Sequence, residues 1–460
     1  MRWRLLRASL PALLGVLGAS GSASAQTLTE ALAAAYQTNP QLLAQRALLR
    51  ATDELVPQAL ANWRPTVAFT SQTGFETSAQ LLAHGPNVYT HTRPSSLDLT
   101  VTEPVYRGGR TEAQSRQAMN TVQATRAQTL AVETTVFQAV ALAYLDVVRD
   151  QLLVEVQRNN EQVLRKQFES TRDRFHIGEL TGTDVAQAQS SVAQATATRI
   201  AAEGQLEVSR ANFTRAVGHP PGRLVFPRER PALPTTREAA LSLAGNNNPN
   251  VISASFAELA ARDNIDVVRG QLLPQISIRG DLNRSSAGAK SAGDAETTTS
   301  ASIAASTAMP LYEGGAIYSQ TRQAEQTVGQ RRSQVDDARR AAVQTATQNW
   351  ATLMAARAST TSFAAAVRAA QIALSGTQEE ELVGTRTVLD VLIAEQQLFT
   401  TQSQLVTAEH DAALAEFNLT ATVGRLIAAE LKLPVRLYDM ERHHREVKHK
   451  WIGFSGGLKE

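Results

Sequence analysis

The string Pro104-Val105-Tyr106-Arg107-Gly108-Gly109 returns as Pro310-Leu311-Tyr312-Glu313-Gly314-Gly315, about 206 residues further along the chain. Its surroundings return as well: Asn39-Pro40 with Asn248-Pro249, Pro65 with Pro274, Tyr144 with Trp350, Gly178 with Gly384, Asp184 with Asp390, and Val217-Gly218 with Val423-Gly424. A unit of this length is too large for a solenoid repeat, so the chain reads as one structural half written twice. The halves run over 26–225 and 226–433, between a leader at 1–25 and a polar C-terminal tail at 434–460.

The leader carries Arg2, Arg4 and Arg7, an apolar run from Leu10 to Leu17, and small residues ending Ala23-Ser24-Ala25. That order predicts a secretory signal peptide cleaved before Gln26. The apolar run is much shorter than the roughly 20 residues a spanning helix needs, and no later uninterrupted run reaches that length. The exported chain is therefore either soluble or crosses a membrane as β-strands. With no cysteine it has no disulfide, thiolate metal site or lipidated N-terminal cysteine. The formal charge of +2 becomes about −1 without the three leader arginines, which gives no support to a nucleic-acid partner.

No proline occurs between Pro104 and Pro220 or between Pro310 and Pro434, which predicts very long helices. Val391, Leu398, Leu405, Ala412 and Leu419 recur every seven residues, with Ala394, Thr401, Ala408 and Ala415 between them. Such a seam, built partly of small residues, brings coiled helices close together. Each proline-free stretch has one break, at 178–183 and at 384–388. The helix before the first break, about 107–177, should run roughly 105 Å. The expected partners of the long helices are 28–62 with 183–218, and 237–271 with 388–425, stacked end to end to form a two-helix rod in each half.

Around the repeated string the period changes from helical to alternating. Val67, Phe69, Ser71, Thr73 and Phe75 alternate with mostly polar residues, as do Leu97, Leu99 and Val101. Strands are expected at about 66–76 and 96–104, flanking a polar loop near His84-Gly85-Pro86-Asn87, and again at about 275–284 and 301–310 around a small-residue loop at 285–300. Alternating strands after a signal peptide fit an outer-membrane barrel; a soluble hairpin capping the rods is the plainer alternative. Four strands cannot close a barrel in lipid, so copies must share one, as eight strands in a dimer or twelve in a trimer.

These features resemble the TolC family of outer-membrane efflux and type I secretion channels, over essentially the whole chain after the leader. The paired Pro-x-Tyr-x-Gly-Gly strings, the Leu28-Thr29-Glu30-Ala31-Leu32 opening and the run Val383 to Val391 carry the likeness. Tyr438-Asp439 and Lys450-Trp451-Ile452-Gly453 look like the type I secretion subgroup. The resemblance implies a mainly α-helical fold with a transmembrane β part. It implies a homotrimer whose twelve-stranded barrel sits in outer-membrane lipid and continues as a twelve-helix periplasmic tunnel. It further implies a periplasmic adaptor protein and an inner-membrane transporter as partners, and no cofactor.

By residue-to-residue match, Arg386 stands at the family's constriction arginine, Asp184 at its acidic partner and Asp390 at a carboxylate ring facing the pore. A second pore-facing aspartate of the family falls on Ile393, and a tyrosine that helps hold the arginine falls on Glu381. The hairpin ends, Ile177, Gly178, Glu179 and Leu180 with Val383, Gly384 and Thr385, are the expected adaptor-docking tips. Local chemistry competes with the gate reading, because Thr181 to Asp184 and Thr387 to Asp390 both fit a helix capping box. Asp184 stands evenly between cap and ion pair.

Pro104, Tyr106, Gly108 and Gly109, with Pro310, Tyr312, Gly314 and Gly315, read as strand-to-helix joints. Their glycine pairs lack the lysine and spacing of a phosphate loop. His443, His444 and His449 read as part of a solvated tail rather than a metal site. No convergent cluster suggests an enzyme. A periplasmic coiled-coil scaffold is the competing class, and it would not need amphipathic strand pairs.

Overall fold

A computed structural model describes residues 26–80, 83–227, 230–286 and 297–454. The expected leader and most of the 285–300 loop lie outside them. The two proline-free stretches form the helical hairpins α4 (Arg110–His176) with α5 (Gly182–Val217), and α8 (Ala316–Leu382) with α9 (Val388–Thr422). Both α4 and α8 have 67 residues, a span of about 100 Å at 1.5 Å per residue. An 18-residue window of α4 reaches a mean hydropathy of 1.4, and 67% of it is buried, which marks a core helix.

The single helix expected over 28–62 is instead three: α1 (Leu28–Thr38), α2 (Pro40–Asp53) and α3 (Leu55–Leu60), followed by a 3₁₀ turn over Ala61–Trp63. Pro57 causes the second break, because its ring would meet the carbonyl of Asp53 in a continuous helix. The second half has Asp266 at the matching position, and α7 (Pro249–Arg269) runs unbroken after α6 (Arg237–Asn247). Asn39-Pro40 and Asn248-Pro249 break both copies alike. Each asparagine Oδ1 caps the next helix, accepting from Gln41 N at 3.0 Å and Asn250 N at 2.9 Å. Each amide nitrogen donates to the last turn of its hairpin, at Ala216 O (3.2 Å) and Thr422 O (3.0 Å). The repeated motif is thus the clasp between each short-helix run and its hairpin.

The main core lies at this level. Tyr36 of α1, Phe137, Val140 and Tyr144 of α4, Phe213 of α5, Phe417 of α9 and Leu426 pack together. The fully buried Tyr144 hydroxyl lies 2.7 Å from Val225 O and 2.9 Å from Gln26 O. Along the predicted seam of α9, Val391, Thr401, Ala408, Ala412, Ala415 and Leu419 are buried, while Leu398 and Leu405 are half-buried.

The tail is docked on the helices, which corrects the solvated reading. The guanidinium of Arg46 stacks between the rings of Tyr36 and Tyr438, 4.3 and 5.0 Å from their centroids. Helix α10 (Arg442–Val447) buries His444 and Val447, and His443 Nε2 sits 3.2 Å from Glu54. Burial lowers the His444 pKa and pushes Asp53 up to about 6. The apolar and aromatic residues threaded through this mixed-charge segment drive its docking.

The described residues form six strands: β1 (Thr66–Thr73), β2 (Glu76–Gln80), β3 (Val88–Thr92), β4 (Ser95–Arg107), β5 (Gln275–Ser286) and β6 (Thr297–Ala308). The expected polar loop at 77–95 contains the extra hairpin β2–β3, with His84 to Asn87 at its turn. The other four form one antiparallel sheet in the order β1-β4-β5-β6. The joint strings differ between copies. Pro104 and Tyr106 lie within β4 at a bulge, beyond the end of β1, so the missing proline amide breaks no ladder bond on that side. Pro310 and Tyr312 lie after β6. In both copies the glycine pair takes left-handed backbone, φ 64° and 75° at Gly108 and Gly109, 61° and 82° at Gly314 and Gly315.

Candidate functional site

Two ends of the molecule carry functional geometry. At the strand end, cross-strand register sorts side chains onto two faces. Val67, Val101, Gly280 and Ile303 form one row, and Phe69, Leu99, Leu282 and Ala301 the next. Val67, Phe69 and Ile303 are 67%, 69% and 85% exposed. The opposite face carries Asp98, Thr100, Arg279, Asp281 and Asn283. Thr100 Oγ1 donates to Asp281 at 2.8 Å, Arg279 Nε to Asp281 at 2.9 Å, and Asn283 to Asp98. An apolar sheet face left open to solvent is unstable in water and is what lipid would cover, with the satisfied polar face toward a wet interior.

At the other end, both hairpins turn identically. Gly178 and Gly384 adopt φ 85° and 80°, and the amides of Glu179 and Thr385 reach back to Arg174 O and Glu380 O at 3.0 Å each. Thr181 and Thr387 then open α5 and α9 with complete capping boxes. Asp184 Oδ2 accepts from Thr181 N at 2.9 Å, and Asp390 Oδ2 from Thr387 N at 2.9 Å. These backbone bonds, then the threonine hydroxyls, hold both carboxyls below the usual carboxylate range. A capping carboxylate keeps its second oxygen available, so the cap does not exclude a role in a gate.

Within the protomer Arg386 pairs with Glu380 at 3.0 Å, both half-exposed. Glu381, only 9% exposed, pairs with Arg174 of α4, which also holds Glu179 at 3.1 Å. This bond joins the two hairpins across 207 residues of sequence. Leu164, Ala195, Val388 and Leu392 add an apolar contact behind it. Sequence reasoning missed Arg174 and Glu380. Nothing local marks Arg174, but the acidic run Glu379-Glu380-Glu381 ahead of a helix break asks for cations nearby. Deeper along α9, burial pushes the Glu395 carboxyl up to about 7. Farther still, His410 bridges to Asp146 at 3.0 Å and Asp411 at 2.9 Å; burial disfavours its charged form, but the two carboxylates hold its pKa above the ordinary value.

The tips themselves are apolar: Ile177, Leu382 and Val383 are 71%, 80% and 75% exposed. A groove of about 910 Å³ runs between the hairpins, lined by Leu153, Phe363, Phe399, Leu414 and small polar residues, with Asp411 at its edge. Among the described residues no group of three or more His, Asp or Glu side chains is placed to hold a metal.

An amphipathic sheet on a long paired-hairpin stalk defines a membrane channel subunit that extends into an aqueous compartment. The family model "outer membrane efflux protein" matches residues 31–219 and 240–425, so the chain belongs to that family, the TolC-like channels of the outer membrane. It is 33% identical to the outer membrane efflux protein BepC of Brucella suis over 435 residues, 94% of this chain and 92% of that one. It is 28% identical to the outer membrane protein TolC of Vibrio cholerae, over 92% of this chain and 96% of that one. The crystal structure of the Campylobacter jejuni CmeC outer membrane channel shares the fold with a TM-score of 0.77 at 13% identity, covering 92% of this chain and 89% of that one. The protein is therefore an outer-membrane exit duct of an efflux or secretion system, reaching into the periplasm. Such channels are not enzymes.

Proposed function

We propose that three copies close into one duct, a twelve-stranded barrel continued by a helical tunnel. An inner-membrane transporter would drive cargo into it through a periplasmic adaptor. The observation that supports this most is the open sheet with one apolar and one polar face, whose free edges β1 and β6 are intolerable in lipid unless another copy pairs with them. A periplasmic scaffold would need no such face.

The duplication supplies the register of the closure. Within the protomer Val101 of β4 lies opposite Gly280 of β5. Their repeat equivalents are Thr307 of β6 and Ser71 of β1, so Thr307 should face Ser71 of the next copy. Directly opposed strand residues have Cα atoms about 4.5–5.5 Å apart, within disulfide reach. In this cysteine-free chain, Ser71→Cys with Thr307→Cys is expected to give a covalent trimer on oxidation in membranes, read on a denaturing gel. Either single variant should stay monomeric on that gel. Failure of the double variant to crosslink, with native-size protein present, would overturn the closure.

The hairpin ends are proposed to close the inner mouth and to dock the adaptor. Asp184, Glu381, Arg386 and Asp390 serve the first task, and Ile177 to Leu180 with Val383 to Thr385 the second. Exposed apolar side chains farthest from the strands suit a protein partner. A photocrosslinker at Ile177 or Val383 is expected to trap the adaptor, and one at Thr298 to trap none. The opposite pattern would refute the docking assignment.

A further inference from the structure

We propose that the C-terminal string Trp451-Ile452-Gly453-Phe454 is a membrane anchor, seated in the lipid headgroup layer on the side of the stalk. The inference rests on the outer-membrane reading and adds a lipid contact outside the barrel. Three observations carry it. First, the tail is held at one height: Arg64 Nη1 donates to Lys450 O at 2.8 Å, and its guanidinium lies 4.8 Å from the Trp451 ring centroid. Arg64 stands two residues before β1 begins, so the indole is fixed at the foot of the sheet.

Second, what is fixed there is apolar and uncovered. Trp451 is 65% exposed, Ile452 91% and Phe454 108%, whereas upstream His444 and Val447 of the same tail are buried. Helix α10 thus turns His444 and Val447 inward beside α2, whereas the apolar residues at the strand base face outward. Third, the surroundings fit a lipid boundary. Trp63, Tyr106, Tyr312 and Tyr318, all exposed, lie near the same strand–helix level. Aromatic rings collect at the water–lipid boundary of barrels because one edge is apolar and the other hydrogen-bonds. Lys448 and Lys450 precede the string and place cationic charge where anionic headgroups lie.

The cysteine-free background makes the test direct. Ile452→Cys, Phe69→Cys on the apolar sheet face and Glu179→Cys at the hairpin end each take one nitroxide label. The full-length protein is reconstituted in phosphatidylethanolamine–phosphatidylglycerol vesicles. Label 452 is expected to collide several-fold more with oxygen than with a water-soluble nickel chelate, as label 69 does, and label 179 the reverse. If 452 behaves like 179, or is shielded from both agents by protein, the anchor is refuted while the barrel stands. If label 69 is also aqueous, the outer-membrane reading falls, and the anchor with it. A second measurement leaves the tail sequence intact: in Trp63→Phe/Trp350→Phe, Trp451 is the only tryptophan after the leader. Lipids brominated near the headgroup should quench its emission by about half or more, and no quenching would refute the anchor.

Discussion

Glu381→Ala is expected to raise single-channel conductance in planar bilayers several-fold. The Glu381–Arg174 bond is the polar tie between the two hairpins nearest their ends, and its carboxylate is nearly buried. Removing one partner of a charged hydrogen bond costs about 1–3 kcal/mol, discounted here because Arg174 is about a third exposed. Symmetry multiplies the effect. If each of three links favours the closed mouth by about 1 kcal/mol, losing all three shifts the closed-to-open ratio by about 100-fold. Arg386→Ser should act in the same direction but more weakly if its bond is the local one to Glu380, and as strongly if Arg386 also reaches a neighbour's Asp184. The exchange Arg174→Glu/Glu381→Arg should restore low conductance, because it rebuilds the same bond reversed. Asp390→Asn keeps the side-chain oxygen that caps α9 and should lower cation preference without loosening the helix. Wild-type conductance in Glu381→Ala and Arg386→Ser, with reduced helix stability, would leave these residues as struts between helices and not parts of a gate.

What could be read from the sequence divides along a physical line. The paired glycines and the Thr-x-x-Asp boxes were legible because each is a local solution to a local backbone problem, and each occurs twice; the Asn-Pro steps stood out as repeats, but the helix breaks they make, inside the single helices expected over 28–62 and 237–271, did not. Helix length was legible from missing proline. The break at Asp53 was also written, in Pro57, but that single local signal is weak beside the longer-range helical pattern. The β2–β3 hairpin hid inside a segment read as polar loop, although Gly85-Pro86 marks its turn. Arg174 was illegible because its partner is remote in sequence. The docking of the tail was illegible for the same reason: Tyr438 finds Arg46 and Tyr36 some 400 residues upstream, and only the folded core brings them together.

Gly108→Ala should strongly destabilise the protomer, whereas Gly314→Ala, its equivalent in the repeat, should be tolerated by both the protomer and the assembly. A Cβ on Gly108 would lie 2.3 Å from Gly270 O and 2.8 Å from Leu273 Cβ, with φ already at +64°. Backbone meets backbone there, since a Cβ on Gly270 would in turn lie 2.6 Å from Gly108 O, so neither side can yield by rotating a side chain. Left-handed strain of about 1–2 kcal/mol plus that displacement brings the cost to roughly 3–5 kcal/mol, a large share of a domain's stability. Gly314 has φ +61° but no atom within 4 Å of its Cβ position, so the protomer alone should lose only the strain. By the repeat offset, however, the element that Gly270 supplies to Gly108 is supplied to Gly314 by the 3₁₀ turn at Ala61 of the next copy. Ala61 already carries the Cβ that Gly270 cannot, so this joint is wider than the one inside the protomer and should tolerate the added methyl. Thermal melting of the detergent-solubilised protomer, beside native electrophoresis of the assembled form, separates the two variants. A Gly314→Ala protein that melts as early as Gly108→Ala, or that fails to assemble, would show that the two joints are equally tight and overturn this asymmetry.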